Sequence, residues 1–405
     1  MSQLRALIAD RIRTTGPISV AEFMRLSLYH PDYGYYARAS RRTGRAGDFF
    51  TSVDVGSVFG ELLARQFAEM AAIIGGPQSR IPTPESPQGS FDLVEAGAGS
   101  GRLARDVLDA VARHHPELYH RVRLHLVEVA PAARAAQIET LGPHSSKLVF
   151  SSDSLPERIA GVIFANELLD ALPTHAVVMR EDGLREVFVD LKGADGGVAE
   201  FVELEREPST PELLRYLAAV GAHLEPGWRA EINLEAPDWI RRAACSLRRG
   251  FLVLVDYGHD AEELYSATHS AGTLTTFQRH TSGDRASSLQ DPGEHDITAH
   301  VDLTTVAHVA ESAGLVTLGR LDQTYFLLGL GSAEMLDIRP VDASTSLRVD
   351  GEARRTIGPT ALRQRLALKT LMLPGGLGST LKVLIFGKDV GRPTLKGLSY
   401  RIRLT

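Results

Sequence analysis

Apolar positions in this chain keep two different beats. Over the first 75 residues they recur at every third or fourth position. Leu4, Leu7, Ile8 and Ile12 share one helical face, a second helix is predicted near 20–27, and a third runs from about 56 to 70. The run His30-Pro31-Asp32-Tyr33-Gly34-Tyr35-Tyr36 interrupts that beat with turn residues and sets three tyrosines within a few positions. Between 75 and 90 four prolines stand among small polar residues, the pattern of a surface linker. From Phe91 onward short apolar runs alternate with helix-period segments, which predicts an α/β sheet with helices on both faces.

Four strands are predicted at 91–95, 123–128, 147–150 and 161–165, with a helix over 102–114 after the first. Residues 174–205 read as antiparallel hairpins turning at Glu181-Asp182-Gly183 and over 193–197, followed by a helix near 211–221. That stretch interrupts the alternation and is an insertion. The strand 250–256 resumes the core, a helix follows over 301–313, and two late strands are expected at 325–330 and 382–386. The domain reading is a helical cap over 1–75, a Pro-rich linker over 76–90, and an α/β core over 91–390 with a β-rich insertion at about 174–245.

Composition narrows the partners. The 405 residues are 43% hydrophobic and carry a net charge of -6, so no basic field favours nucleic acid. The single Cys245 excludes an internal disulfide and a cysteine metal cluster, and fits a reducing compartment. No stretch approaches the roughly 20 apolar residues of a spanning helix. The N-terminus has helical spacing and an early acid, unlike a signal peptide. The expectation is a soluble cytoplasmic protein without membrane insertion; a homodimer is left open.

The most informative chemistry lies in Glu95-Ala96-Gly97-Ala98-Gly99-Ser100-Gly101, at the junction of the first core strand and its helix. Glycine at every second position lets the turn take unusual backbone angles and lie against a ligand. A dinucleotide fingerprint would read G-x-G-x-x-G, and its amides would favour an anion. Here a carboxylate leads the glycines and suits a ligand with a cationic amino-acid end. The pattern resembles motif I of the class I S-adenosylmethionine (SAM) methyltransferases. In that frame Glu95, Gly97, Gly99 and Gly101 hold the methionine moiety. Glu128, closing the second strand, accepts the ribose hydroxyls, and Asp153, after the third, accepts from the adenine amino group.

The fourth strand ends in Asn166-Glu167-Leu168-Leu169-Asp170-Ala171-Leu172-Pro173. Asn166, Glu167 and Asp170 are candidates to grip an acceptor, because neighbouring carboxylates hold a guanidinium through charge-assisted, bidentate bonds. The same acids would also serve as a helix cap and first-turn charges. Both readings stand at this level.

Longer matches make the resemblance specific. His30–Tyr36, Gly47-Asp48-Phe49-Phe50-Thr51-Ser52, the glycine turn, the Asn166–Pro173 run, Asp256-Tyr257-Gly258, Gly272-Thr273-Leu274 and Asp296-Ile297-Thr298-Ala299-His300-Val301-Asp302 are similar, in order, to the MidA family. Mitochondrial members of that family are complex I assembly factors. One departure is Val53-Asp54, where the family usually has Pro-Glu. The resemblance implies a Rossmann-like mixed sheet and a SAM-dependent protein arginine methyltransferase, whose partner is a protein carrying the target arginine. It also implies that the helical N-terminal segment covers the cofactor. The loop 47–52 then reads as a lid, with Asp48 and Thr51 beside the cofactor. The reading from a different class is a SAM-binding assembly factor or chaperone without turnover.

Other chemistries fit poorly. His280, His295 and His300 lie among acids, but their spacing matches no compact zinc motif, so no metal site is predicted. There is no G-x-S-x-G elbow, and Arg102-Leu103 stands where a P-loop needs Lys-Ser or Lys-Thr. The glycine spacing disfavours a nicotinamide oxidoreductase.

Overall fold

Seven strands build the central sheet: β1 (Phe91–Ala96), β2 (Val122–Val127), β3 (Leu148–Ser152), β4 (Ile159–Asn166), β5 (Leu247–His259), β6 (Val316–Asp322) and β7 (Leu381–Lys388). The computed structural model describes residues 2–39, 52–53, 55–75, 89–193, 200–278, 281–283, 289–336, 359–373 and 377–400. The sheet order is β6-β7-β5-β4-β1-β2-β3, with Val301–Asp302 pairing beside β5. Strands β1 to β5 run parallel, and β7 is antiparallel to both β5 and β6. This is the mixed, Rossmann-like sheet that the class I resemblance implies. The chain leaves β1 toward one edge and returns at β4 toward the other. The switch point between those strands is where an α/β sheet opens a crevice.

Alternation along the strands sorts the core into two layers. Phe251, Val253 and Val255 of β5 face Phe59, Leu62, Leu63 and Phe67 of the helix Val58–Ile74, beside the helix Arg102–His114. Leu252 and Leu254 face the other way, toward Trp239, Ile240 and Ala243 of Glu235–Ser246 and Val306 and Ala310 of Leu303–Ser312. A strand buried on both faces reads as one continuous apolar run, as 251–255 does. Phe67 meets Phe164 of β4 edge-on, with ring centroids 5.6 Å apart.

A second body is assembled from distant pieces of sequence. Ser2 and Ser19 accept the backbone N–H of Arg5 and Glu22, and so cap the helices Gln3–Thr15 and Val20–Tyr29. Between them Ile18 and Ser19 pair antiparallel with Val189 and Phe188 of the strand Gly183–Lys192. That strand also pairs with His175–Arg180 and Glu200–Arg206, and Arg229–Ile232 completes the sheet. Leu4, Ile8, Phe23 and Met24 bury against Val178, Val187, Val189 and Phe201. The first 75 residues therefore divide. The two leading helices pack on the insertion's sheet, whereas Val58–Ile74 packs on the core of the central sheet. The proline-rich stretch over 76–88 lies outside the described residues.

One expected element is corrected. Residues 325–330 were assigned to a strand, but they belong to the helix Gln323–Gly329 and its C-cap Leu330, and the edge strand is β6. A short apolar run fits either period. Tertiary packing decides for the helix, because Phe326, Leu327 and Leu330 then bury together in the core.

Candidate functional site

Acids or amides end five successive parallel strands on the same edge of the sheet. Glu95 lies in the last turn of β1, Glu128 and Asp153 follow β2 and β3, Asn166 and Glu167 end β4, and Asp256 lies toward the end of β5. There a cavity of about 510 Å³ opens, lined by Gly97, Gly99, Glu128, Asp153, Glu167 and Leu168 with Tyr29, Tyr36 and Trp239. A polar recess continues from it. That recess shares Tyr36, Gly97, Gly99, Glu167 and Ala171, and adds Glu95, Ser100, Asn166, Asp170 and Asp296. The size is that of a small-molecule or cofactor site.

The glycine turn has a backbone reason. Gly97, Gly99 and Gly101 all have positive φ, at 72°, 51° and 85°, a region costly for other residues. Their surroundings differ. A Cβ on Gly99 would meet nothing within 4 Å, whereas one on Gly101 would press against Leu126 Cδ1 at 3.1 Å. Gly99 thus faces the cavity, while Gly101 starts the helix Arg102–His114 and is not part of the lining. That helix N-terminus, with Ser100 and Arg102 in the lining, presents a positive dipole end to the recess.

Glu95 is buried, and its Oε2 has no hydrogen-bond partner among the described residues. Burial is the main cause that pushes its pKa up to about 8; the backbone bond from Ala104 opposes it, and Glu128 and Asp106 add to it. Glu128 is fixed at both oxygens. Oε2 accepts the N–H of Gly99 at 2.8 Å and Oε1 that of Ala130 at 2.7 Å. Asp153 is exposed at the rim of the cavity.

Asn166 and Glu167 act as a unit. Asn166 Nδ2 donates to Glu167 Oε1 at 2.8 Å, and the backbone N–H of Ser52 donates to the same oxygen at 3.3 Å. Glu167 has φ 52°, and its N–H is tied to Val255 O at 2.8 Å. Non-glycine residues adopt that region uncommonly, though Arg158, Asp291 and Asp389 share it here. Asp170 sits deeper. It is buried against Asp256, and burial, then the charges of Asp256 and Glu167, hold its carboxyl well above the usual range. Asp256 accepts the N–H groups of Leu168, Leu169 and Tyr257 at 3.1, 2.7 and 2.9 Å. Burial raises Asp256 too, to about 7, but the three donors oppose that rise, so Asp170 is the member of the pair shifted further toward the protonated form.

Two tyrosines from the leading segment reach the cleft. Tyr29 donates to Ala171 O at 3.0 Å and Tyr36 to Asp296 Oδ1 at 2.9 Å, with ring centroids 5.2 Å apart. Tyr36 and Asp256 are not site candidates in the sequence reading, and Asp296 enters it only in a run that orders a loop near the site. The signal for Asp256 was available, since it is an acid at a parallel-strand end like Glu95. Tyr36 and Asp296 come together only through the tertiary fold. Asp48, Thr51 and His280 lie outside the described residues.

The cleft therefore combines a glycine turn, a buried carboxyl with one oxygen lacking a partner among the described residues, a helix N-terminus and several acids. Those groups suit a ligand with an ammonium, a carboxylate and a sulfonium. SAM fits them: Glu95 Oε2 would take the ammonium, the helix N-terminus the carboxylate, and Glu128 the ribose.

Comparison with known proteins agrees. Residues 62–321 match the family described as "Putative S-adenosyl-L-methionine-dependent methyltransferase". The chain is 31% identical over 357 residues to the mitochondrial protein arginine methyltransferase NDUFAF7 homolog of Drosophila melanogaster, covering 80% of this chain and 73% of that one. It is 30% identical over 370 residues to mitochondrial NDUFAF7 of Bos taurus, covering 83% and 74%. A COG1565 superfamily protein from Burkholderia thailandensis, solved bound to S-adenosyl-homocysteine, superposes with a TM-score of 0.79 at 28% identity. That match covers 98% of this chain and 94% of the other.

Proposed function

Since the chain belongs to the MidA family of SAM-dependent methyltransferases, we propose that its acceptor is an arginine side chain of a partner protein. The observation that carries this is the Asn166–Glu167 pair, whose pinned carboxylate lines the same recess as the glycine turn. The relatives from Drosophila melanogaster and Bos taurus are named protein arginine methyltransferases, which supports the same acceptor.

SAM supplies an electrophilic methyl group on a sulfonium. This chain's part is to bind, align and screen. Glu167 accepts guanidinium N–H bonds, which orients one nitrogen, and its carboxylate is the nearest base for the proton that nitrogen sheds. The Asn166 bond to Oε1 fixes the carboxylate plane. Alignment of this kind supplies much of the rate of a transfer between two bound groups. Tyr29 and Tyr36 wall the cavity, and Asp170 keeps a proton and so adds no second charge beside Glu167. An acidic cleft also favours a cationic cofactor and a cationic acceptor together. Because methyl transfer removes the sulfonium charge, it weakens the hold on the spent cofactor.

Among the described residues no helix is long and apolar enough to cross a membrane. The exposed, free Cys245 suits the reducing, cytoplasmic setting we assign. The test of the acceptor is transfer of labelled methyl to proteins of a lysate from cells lacking this gene, followed by acid hydrolysis. Label in methylarginine supports the reading, and label in methyllysine or in esters alone overturns it.

A further inference from the structure

Three histidines from separate segments meet beside β5. His259 ends β5, His269 ends the 3-10 turn Ala267–His269, and His300 precedes Val301–Asp302. One ring nitrogen from each lies within 4.8 Å of the others, and all three residues are half-buried. Ring centroids are 4.5 Å apart for His259 and His269, and 5.1 Å for His259 and His300. The backbone fixes this meeting. Gly258 and His259 pair with Val301 and Asp302, and the N–H of His300 donates to Thr273 Oγ1 at 3.1 Å.

Glu263 faces two of the rings with different oxygens. Its Oε1 lies 3.0 Å from His259 Nδ1, and its main-chain carbonyl lies 3.0 Å from His269 Nδ1. At His269 the carbonyl at Nδ1 sets the tautomer that leaves Nε2 as the donor atom, the outer arrangement usual around metal-bound imidazoles, whereas Glu263 Oε1 lies near His259 Nδ1 without hydrogen-bond geometry. His300 Nδ1 is buried and has no hydrogen-bond partner among the described residues, a state that buried polar atoms rarely keep.

We propose that His259, His269 and His300 bind one transition-metal ion of the zinc class, with a fourth position left to water. Three neutral imidazoles suit zinc, nickel or copper better than the hard cations. Around a tetrahedral ion with bonds of about 2.0–2.1 Å, ligand nitrogens stand roughly 3.4 Å apart, so the rings close by about an ångström through side-chain rotation. The ion ties the end of β5 and the 267–269 turn to the segment 296–302. That segment lends Asp296 and Thr298 to the cleft wall, and its Ala299 N–H donates to Asp170 O at 3.0 Å. The site is thus a clamp on the cleft wall, apart from the transferring atoms. The sequence reading weighed His280, His295 and His300 and predicted no metal site. The fold instead brings His300 to two histidines from earlier in the chain.

The test uses untagged full-length protein freed of metal by chelator dialysis and titrated with Zn²⁺. Equilibrium dialysis with elemental analysis should find one ion per chain at micromolar or tighter affinity, and zinc should raise the unfolding midpoint. His259→Gln and His269→Gln should each weaken binding at least tenfold, while His223→Gln, on an exposed side chain, should not. Failure of the wild type to take up one ion, or unchanged binding in both ligand variants, would overturn the proposal. If neither variant folds, the wild-type midpoint decides: a rise with zinc upholds the site, and no rise overturns it.

Discussion

The backbone N–H of Gly99 donates to Glu128 Oε2 at 2.8 Å, so the acid after β2 pins the glycine turn after β1. The same carboxylate caps Ala130 with its other oxygen. Glu128 therefore shapes the floor of the cleft as well as lining it. Glu128→Ala should weaken SAM binding by roughly 10–100-fold, since bonds to a charged group are worth about 1.5–3 kcal/mol. Turnover at saturating SAM should change little, because a ribose contact is equal in ground and transition states. Calorimetry and steady-state kinetics check the split, and a fall confined to kcat would contradict it.

Two glycines two residues apart should fail in different ways. Gly99→Val places a side chain in open cleft space at φ 51°. It should abolish detectable SAM binding while the fold survives, at a cost of about 1–3 kcal/mol. Gly101→Val would drive its Cβ onto Leu126 inside the core, so loss of the folded state should dominate. Thermal unfolding beside a binding titration separates them.

Glu95 links pH to stability. Its pKa rises from the ordinary 4.5 to about 8 in the folded chain. Between those values the folded protein holds a proton that the unfolded chain has released, so this group's contribution to stability falls as pH rises through the window. Glu95→Gln removes the penalty. The variant should be more stable than wild type by roughly 1–4 kcal/mol at about pH 8.5, and the difference should shrink toward pH 5. It should also bind SAM at least tenfold more weakly, having lost the carboxylate for the ammonium. Unfolding curves at the two pH values check the sign; a gap that widens toward pH 5 would refute it.

Asp170 and Asp256 should respond unequally to the same change. Asp170 already carries a proton, so Asp170→Asn should cost under about 1 kcal/mol and keep most methyl transfer. Asp256→Asn would set its amide NH2 against at least one of the backbone donors now facing the two oxygens and should cost roughly 1–3 kcal/mol. Denaturant unfolding of the two variants checks the ranking.

Much of this site was legible in the chain because local geometry demanded it. The turn at 97–101 needs left-handed backbone, and only glycine supplies that cheaply. Glu128, Asn166 and Glu167 stand where parallel strands end, and the period of the apolar runs located those ends to within a few residues. Other features depend on tertiary choices that no local pattern encodes. Tyr36 reaches Asp296 across 260 positions. Asp170 differs from Glu167 only through the burial and the partner it meets. The run 325–330 suits either period, and its burial against the core made it helical.

The central claim is that Glu167 holds the acceptor, and Glu167→Gln tests it most directly. The variant keeps the side chain's size and removes its charge, so SAM affinity should stay within a few-fold of wild type. Losing a partly buried, charge-assisted contact costs about 2–5 kcal/mol, which at 1.36 kcal/mol per decade is a rate loss of roughly 30-fold to several thousandfold. The measurement is the rate of methyl transfer to an arginine-bearing acceptor at saturating SAM. A fall in that range supports the account, and a rate near wild type would remove Glu167 from the reaction.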